Sequence, residues 1–266
     1  MITFAVRDGK RYLLISPGLW INICEFGLFL MYNFRGAMCN RALAIVSERL
    51  SARSGRERRI YWFSLCGVLA PALLLLSYII ASLLNPGFNH VLKTVSQLGV
   101  NGSKFPWVIN SGFILFGVLM FPLACGLYIR FKSRFMARLM WFTLSLSGLC
   151  IILTGVFHAE RTIVNNLPVI EGMLHVIFAS LGILSLTVAI LAAADIFQRY
   201  PAWRGFVWPS IAISAIVLVG AVLFSREIVP HWNGLIERVF YSLALGWVWV
   251  VAVRSFLLSP GDVDEL

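Results

Sequence analysis

Six long apolar runs, separated by short polar stretches, dominate this chain: Ile60–Leu84, Val108–Arg130, Leu139–His158, Met173–Asp195, Phe206–Phe224 and Val239–Leu258. Each is near the ~20 apolar residues that a helix needs to cross a hydrocarbon core. In lipid a spanning segment must satisfy its own backbone, so the pattern predicts six helices rather than open strands. Trp62, Trp107, Trp141, Trp208 and Trp232 fall at or near the run ends, where an interfacial aromatic belt is expected. Pro71 and Pro122 lie inside runs, which neighbouring helices tolerate.

A seventh run, Tyr12–Met31, is interrupted by Pro17, Asn22 and Glu25 and flanked by Arg7, Lys10 and Arg11. Two readings stay open for it: an extra N-terminal membrane helix, or an extension upstream of a start at Met38. The domain reading is therefore residues 1–59 as an apolar segment plus a basic stretch, 60–258 as the six-span membrane domain, and 259–266 as an acidic tail. Within the basic stretch, Cys39–Arg59 sets Leu43, Ile45, Val46 and Leu50 against Arg41, Arg49 and Arg53, as a segment lying on an anionic membrane surface would. The fold class is all-α, a polytopic transmembrane bundle.

Composition agrees: 59% of the 266 residues are hydrophobic and 13% charged, against about 25% charged in soluble domains. A soluble enzyme, a disordered chain and a disulfide scaffold are excluded. The net charge of +10 does not indicate nucleic acid, because the basic residues sit between apolar runs. Fourteen Lys and Arg fall in Asn33–Arg59, at the second and fourth connections counting Arg130 at the span end, and near the end of the last span at Arg254; five fall in the other three connections. That asymmetry predicts a cell-membrane protein with the Arg-rich segment and the C-terminus cytoplasmic. Cys24, Cys39, Cys66, Cys125 and Cys150 show no CxxC spacing and read as packing residues.

With this orientation all four histidines, His90, His158, His175 and His231, gather at the outer end, together with Glu160, Glu171, Glu227, Glu237, Arg161, Arg226, Arg238 and Ser96. Ionisable groups at membrane depth are functional candidates. Thr143, Ser147, Thr154 and His158 share a face of the third span by 4, 7 and 4 spacing, and Glu171, His175, Ala179 and Gly182 share one on the fourth. Such seams serve helix packing; facing each other, they could also open outward beside His158, Glu171 and His175. The catalytic candidates are His158, His175, Glu171 and Ser96, the last with His90 as base. Metal candidates are His90, His158, His175 and His231, without an HExxH spacing. Arg238, Glu237, Arg226 and Arg161 are the ligand-binding candidates, since guanidinium forks suit an anionic headgroup; Glu237 and Arg238 could equally pair with each other.

The order Val95-Ser96-Gln97-Leu98-Gly99, then Asn110-Ser111-Gly112-Phe113 with Gly117, then Gly155-Val156-Phe157, His175, and Gly234 with Glu237-Arg238 resembles a six-span family catalogued as domain of unknown function 998. The resemblance covers roughly Ile60 to Leu258 and implies topology without chemistry. Two departures stand out: Gln97 where family members often carry an acidic residue, and His158-Ala159-Glu160 where they often carry Pro and Asp. The layout is also distantly similar to the Frag1/DRAM/Sfk1 group of lipid-linked membrane proteins.

The functional expectation is an integral membrane protein whose outer His/Glu/Arg cluster binds a lipid or amphiphile headgroup. The alternatives are a membrane-embedded lipid hydrolase, with or without a metal, and a small-solute transporter or partner subunit. No repeat or pair of broken helices marks a transporter. The partner expected is the bilayer, with an anionic headgroup and without nucleic acid. The sequence indicates no particular cofactor and leaves enzyme status and oligomeric state open.

Overall fold

A computed structural model describes residues 3–7, 10–16, 19–22, 54–131, 135–159, 163–164, 167–226 and 228–258. The chain divides into two compact units, Met1–Ser54 and Gly55–Leu266. In the first, β1 (Thr3–Arg7), β2 (Lys10–Ser16) and β3 (Leu19–Asn22) form an antiparallel sheet in the order β1-β2-β3. Residues 12–16 and 19–22 of the Tyr12–Met31 run are therefore extended. A helix there would carry Pro17-Gly18 in its interior, where proline removes a hydrogen bond and clashes with the preceding turn. The rest of that run, and Cys39–Arg53, lie outside the described residues.

The second unit holds the six helices: α1 (Gly55–Leu84), α2 (Trp107–Phe131), α3 (Phe135–Val156), α4 (Ile170–Phe197), α5 (Val207–Ser225) and α6 (Asn233–Leu257). All six are long and apolar enough to cross a membrane, so this is a multi-pass integral membrane protein. Each helix packs on the next in sequence, and α6 returns to pack on α1. Short connections make this order natural. The helices overrun several predicted spans because charged residues at the interface extend a helix past its apolar stretch: α1 begins in Arg56-Glu57-Arg58-Arg59. The five tryptophans expected at the span ends, Trp62, Trp107, Trp141, Trp208 and Trp232, are all exposed.

Small residues set the helix spacing. Gly117 and Gly148 face each other where α2 meets α3, and a Cβ on Gly117 would press on the Gly148 carbonyl oxygen. One on Gly155 would lie 2.6 Å from the Asn110 carbonyl. The bulky apolar side chains instead point to lipid, with Leu76, Leu83, Val219 and Val222 all more than half exposed.

The arginine-rich end is held by hydrogen bonds. Arg130, only 6% exposed, closes α2 and donates through Nε to Ser255 Oγ (3.0 Å) and through NH2 to the carbonyls of Ser255 (2.6 Å) and Leu258 (3.1 Å). Ser64 of α1 donates to the same Ser255 hydroxyl at 2.8 Å. One guanidinium thus caps the last carbonyls of α6, which have no intrahelical partner. We expect Arg130→Met to cost about 2–3 kcal/mol by leaving those carbonyls unpaired, seen as a fall of about 5–10 °C in the melting temperature of the purified protein. An unchanged melting temperature would contradict this role. Arg254 closes the neighbouring seam, donating to Ala202 O (3.1 Å through Nε) and stacking over Phe206 at 5.1 Å.

Candidate functional site

At the opposite, histidine-bearing end, the connection 85–106 between α1 and α2 is folded down onto the bundle. Asn85 ties its two ends, accepting from Lys104 N (2.9 Å) and donating to Lys104 O (3.1 Å). Gly87, at φ +86°, makes the first bend in the left-handed region where only glycine is at ease. Asn89 Oδ1 then accepts the N–H groups of Val91 and Leu92, a local turn of the kind asparagine favours.

Val95–Gly99 forms a single 3₁₀ turn with Leu98 fully buried. Two side chains hold it, and a third holds the segment before it. Glu237 Oε2 accepts Val95 N–H at 2.6 Å, and Asn110 Nδ2 donates to Gly99 O at 3.0 Å. Arg238 NH1 donates to the carbonyls of His90 (2.7 Å), Lys93 (2.8 Å) and its own Gly234 (2.6 Å), while its Nε donates to Tyr78 OH (3.0 Å). The guanidinium also lies over the rings of Tyr78 and Phe88 at 5.4 and 5.9 Å. Gly234 permits this, because a Cβ there would strike Lys93 O.

Glu237 and Arg238, read from sequence as a charge pair or a headgroup clamp, thus have separate backbone partners on the 85–106 connection. They were detectable as charges at a span end, but their acceptors and donors are main-chain atoms that no side-chain pattern reveals. Tyr78 and Asn110, equally central, were not singled out as site residues, since an isolated Tyr or Asn in an apolar run carries no such signal.

A second constellation joins α3 to α4. Glu171 Oε1, in the first turn of α4, accepts the backbone N–H of His158 at 3.0 Å and its ring Nδ1 at 2.5 Å. The two side chains are 34% and 40% exposed. One turn along α4, the buried His175 donates from Nδ1 to the carbonyls of Thr154 (3.0 Å) and Phe157 (2.8 Å). His158 and Glu171 thus pair at the α3–α4 junction, while the bonds of His175 go to main-chain carbonyls at the end of α3. The seam hydroxyls turn back on their own helices, Thr143 to Leu139 O and Thr154 to Cys150 O, both at 2.8 Å. Among the described residues, the polar contacts of Arg238 lie in the connection 85–106, Tyr78 and Gly234, away from this trio.

The remaining candidates are dispersed. Ser96 Oγ pairs with Thr94 Oγ1 at 3.1 Å, while His90 Nδ1 pairs with Tyr78 OH at 2.8 Å, so each has a partner other than the one expected. His231 is exposed in a 3₁₀ turn before α6. Arg161, Glu160 and Glu227 lie outside the described residues. Among the described residues no three His, Cys, Asp or Glu side chains gather around a point that could hold a metal.

Arg226 has a different setting. It is the C-cap of α5, is exposed, and its backbone N–H donates to Val222 O at 3.1 Å, which closes the last turn of the helix. Ile216, Val219, Leu223 and Arg226, spaced by 3, 4 and 3, form one stripe. The first three line a groove of about 410 Å³ between α5 and α6, with Ala215 and Gly220 from α5 and Leu235, Ile236, Val239 and Phe240 from α6. Gly220 marks the close approach at the base of the groove, where a Cβ would lie 2.8 Å from that of Phe240. Every residue lining the groove is apolar, and the volume falls in the range of small-molecule sites.

A family model described as a protein of unknown function (DUF998) matches residues 68–254. That range contains the Val95–Gly99 turn, Asn110, Gly117, Gly155, His175, Gly234, Glu237 and Arg238. No curated protein and no solved structure matches the chain.

Proposed function

Starting from the membership of this chain in DUF998, a membrane family of unknown function, we propose that the protein binds an anionic amphiphile from the outer leaflet. Its alkyl part occupies the α5–α6 groove and its headgroup meets Arg226. The observation that carries this reading is the stripe of apolar groove residues on α5 that ends on an exposed arginine. An apolar slot open to lipid selects for an acyl chain by packing, and a guanidinium at the interface selects for a phosphate or carboxylate by forked hydrogen bonds. Arg238, committed to main-chain carbonyls, takes the part of a structural anchor beside that site.

The test is photocrosslinking with an anionic lipid that carries a photoreactive group on its acyl chain, in vesicles that also contain zwitterionic lipid. Crosslinks are expected to concentrate on Val219, Leu223, Leu235 and Val239. Val219→Trp, which fills the groove from a position that faces lipid, should reduce them about tenfold. Arg226→Gln should reduce the preference for anionic over zwitterionic lipid about fivefold, as ~1 kcal/mol per basic residue near the surface implies. Crosslinks spread evenly over the lipid faces of all six helices would overturn the proposal.

A second reading, a membrane-embedded hydrolase, is favoured by the pairing of His158 with Glu171. A carboxylate that holds an imidazole by Nδ1 fixes its tautomer and leaves Nε2 to act as a base. In that reading Glu171→Gln lowers hydrolysis of a lipid ester by 10²-fold or more.

A further inference from the structure

His90, on the connection 85–106, is joined to α1 and α6 through a single phenol. Arg238 Nε donates to Tyr78 OH at 3.0 Å, and a guanidinium only donates, so the phenol oxygen is the acceptor in that bond. Among the described residues the hydroxyl's other hydrogen-bond partner is His90 Nδ1, at 2.8 Å, so the phenol's one proton points there. Nδ1 must then present a lone pair, with the imidazole neutral and its hydrogen on Nε2. The backbone around His90 is tied to α6 as well. Its carbonyl accepts from Arg238 NH1 at 2.7 Å, and Val91 O accepts the N–H of Leu235, in the first turn of α6, at 3.1 Å.

We propose that the Tyr78–His90 bond is a pH-sensitive clasp, which holds the connection 85–106 against α1 and α6 near neutral pH and loosens it when His90 is protonated. Imidazole is the side chain whose ordinary charge change falls between about pH 5 and 8, and His90 is exposed, so protons reach it directly. A proton on Nδ1 sets two donors against each other, and the phenol loses its acceptor. The groups facing the ring add to the effect. From α1 comes the edge of Tyr78, and from α6 the Arg238 guanidinium. Its own connection supplies Phe88, edge-on at 5.2 Å, and Lys93, whose ammonium lies over Phe88 at 5.7 Å. Both charges are positive, so an imidazolium is repelled. The carboxylate of this turn of α6, Glu237, is engaged with Val95 N–H, and among the described residues none forms an ion pair with His90. The closed clasp therefore binds one proton fewer than the open one, and falling pH favours opening. The inference stands apart from amphiphile binding in the α5–α6 groove.

The experiment uses the full chain in lipid nanodiscs and compares hydrogen exchange near neutral pH and about two pH units below, each rate taken relative to the intrinsic rate at that pH. At the lower pH, exchange at Leu92, Lys93 and Val95 should accelerate about tenfold, as the loss of one hydrogen bond implies, while α2 and α3 keep their protection. His90→Asn sets a side-chain oxygen where Nδ1 stands; it accepts from Tyr78 and does not titrate, so the pH response should vanish with the connection still held. Tyr78→Phe should exchange fast at both pH values. His158→Asn and His231→Asn should keep the full response. The ¹⁵N resonances of histidine-labelled protein should show, near neutral pH, His90 with its lone pair on Nδ1 and its hydrogen on Nε2. A His90 Nδ1 that bears hydrogen near neutral pH, exchange indifferent to pH, or a His90→Asn protein that retains the pH response would overturn the proposal.

Discussion

Gly117→Val should abolish accumulation of folded protein in the membrane. A Cβ at this position would press on the Gly148 carbonyl oxygen and lie 2.6 Å from Ile152 Cγ1 and 3.0 Å from Ile152 N, while one at Gly148 would lie 2.8 Å from Gly117 O. These obstacles are largely backbone on both sides, so no rotamer change relieves them and α2 must separate from α3. Overpacking a well-filled core costs about 1–3 kcal/mol when side chains can adjust; here they cannot, and the cost should exceed ~3 kcal/mol. Gly148→Ala, with the longer contact, should be milder but still destabilising. The check is the yield of monodisperse protein and its melting temperature. A Gly117→Val protein that purifies and melts like the unaltered chain would mean that the α2–α3 crossing is not as close as described.

Arg238→Ala should free the connection 85–106 without unfolding the bundle. One guanidinium makes four hydrogen bonds and covers two aromatic rings. Hydrogen bonds from a charged group contribute about 1.5–3 kcal/mol each when removed, but water can replace several at this half-exposed site, so a net loss of about 3 kcal/mol is expected. That is roughly a hundredfold in the equilibrium for local opening. Hydrogen exchange at Val91 to Val95 should accelerate by that factor while α2 and α3 keep their protection. Arg238→Lys keeps the charge yet offers no planar fork, and should recover less than half of the loss. Unchanged exchange in the alanine variant would show that Glu237 and Asn110 suffice to hold the connection.

The spans were legible because a bilayer demands some twenty apolar residues in a row, and because tryptophan marks the ends. The packing of α3 on α4, with Glu171 against His158, was legible for a related reason: i, i+4 spacing fixes a face, and a short connection makes neighbours antiparallel. The anchoring of the Val95–Gly99 turn was not legible. Its partners are separated by 11 residues for Asn110 and Gly99 and by 142 for Glu237 and Val95, and half of each pair is a main-chain atom. The segment Lys10–Ser16 shows the converse problem. Apolar content alone does not separate a membrane helix from a strand, and this segment is extended. The α5–α6 groove depends on how Gly220 and Phe240 sit against each other, a tertiary relation with no periodic signature.

Native mass spectrometry of the protein released from bilayers of mixed anionic and zwitterionic lipid tests amphiphile binding most directly. The unaltered chain should retain one anionic lipid in preference to the zwitterionic one, Arg226→Gln should lose that preference, and Val219→Trp should lose the bound lipid altogether. Retention that simply follows the bulk lipid composition, and is the same in all three proteins, would contradict a binding site between α5 and α6.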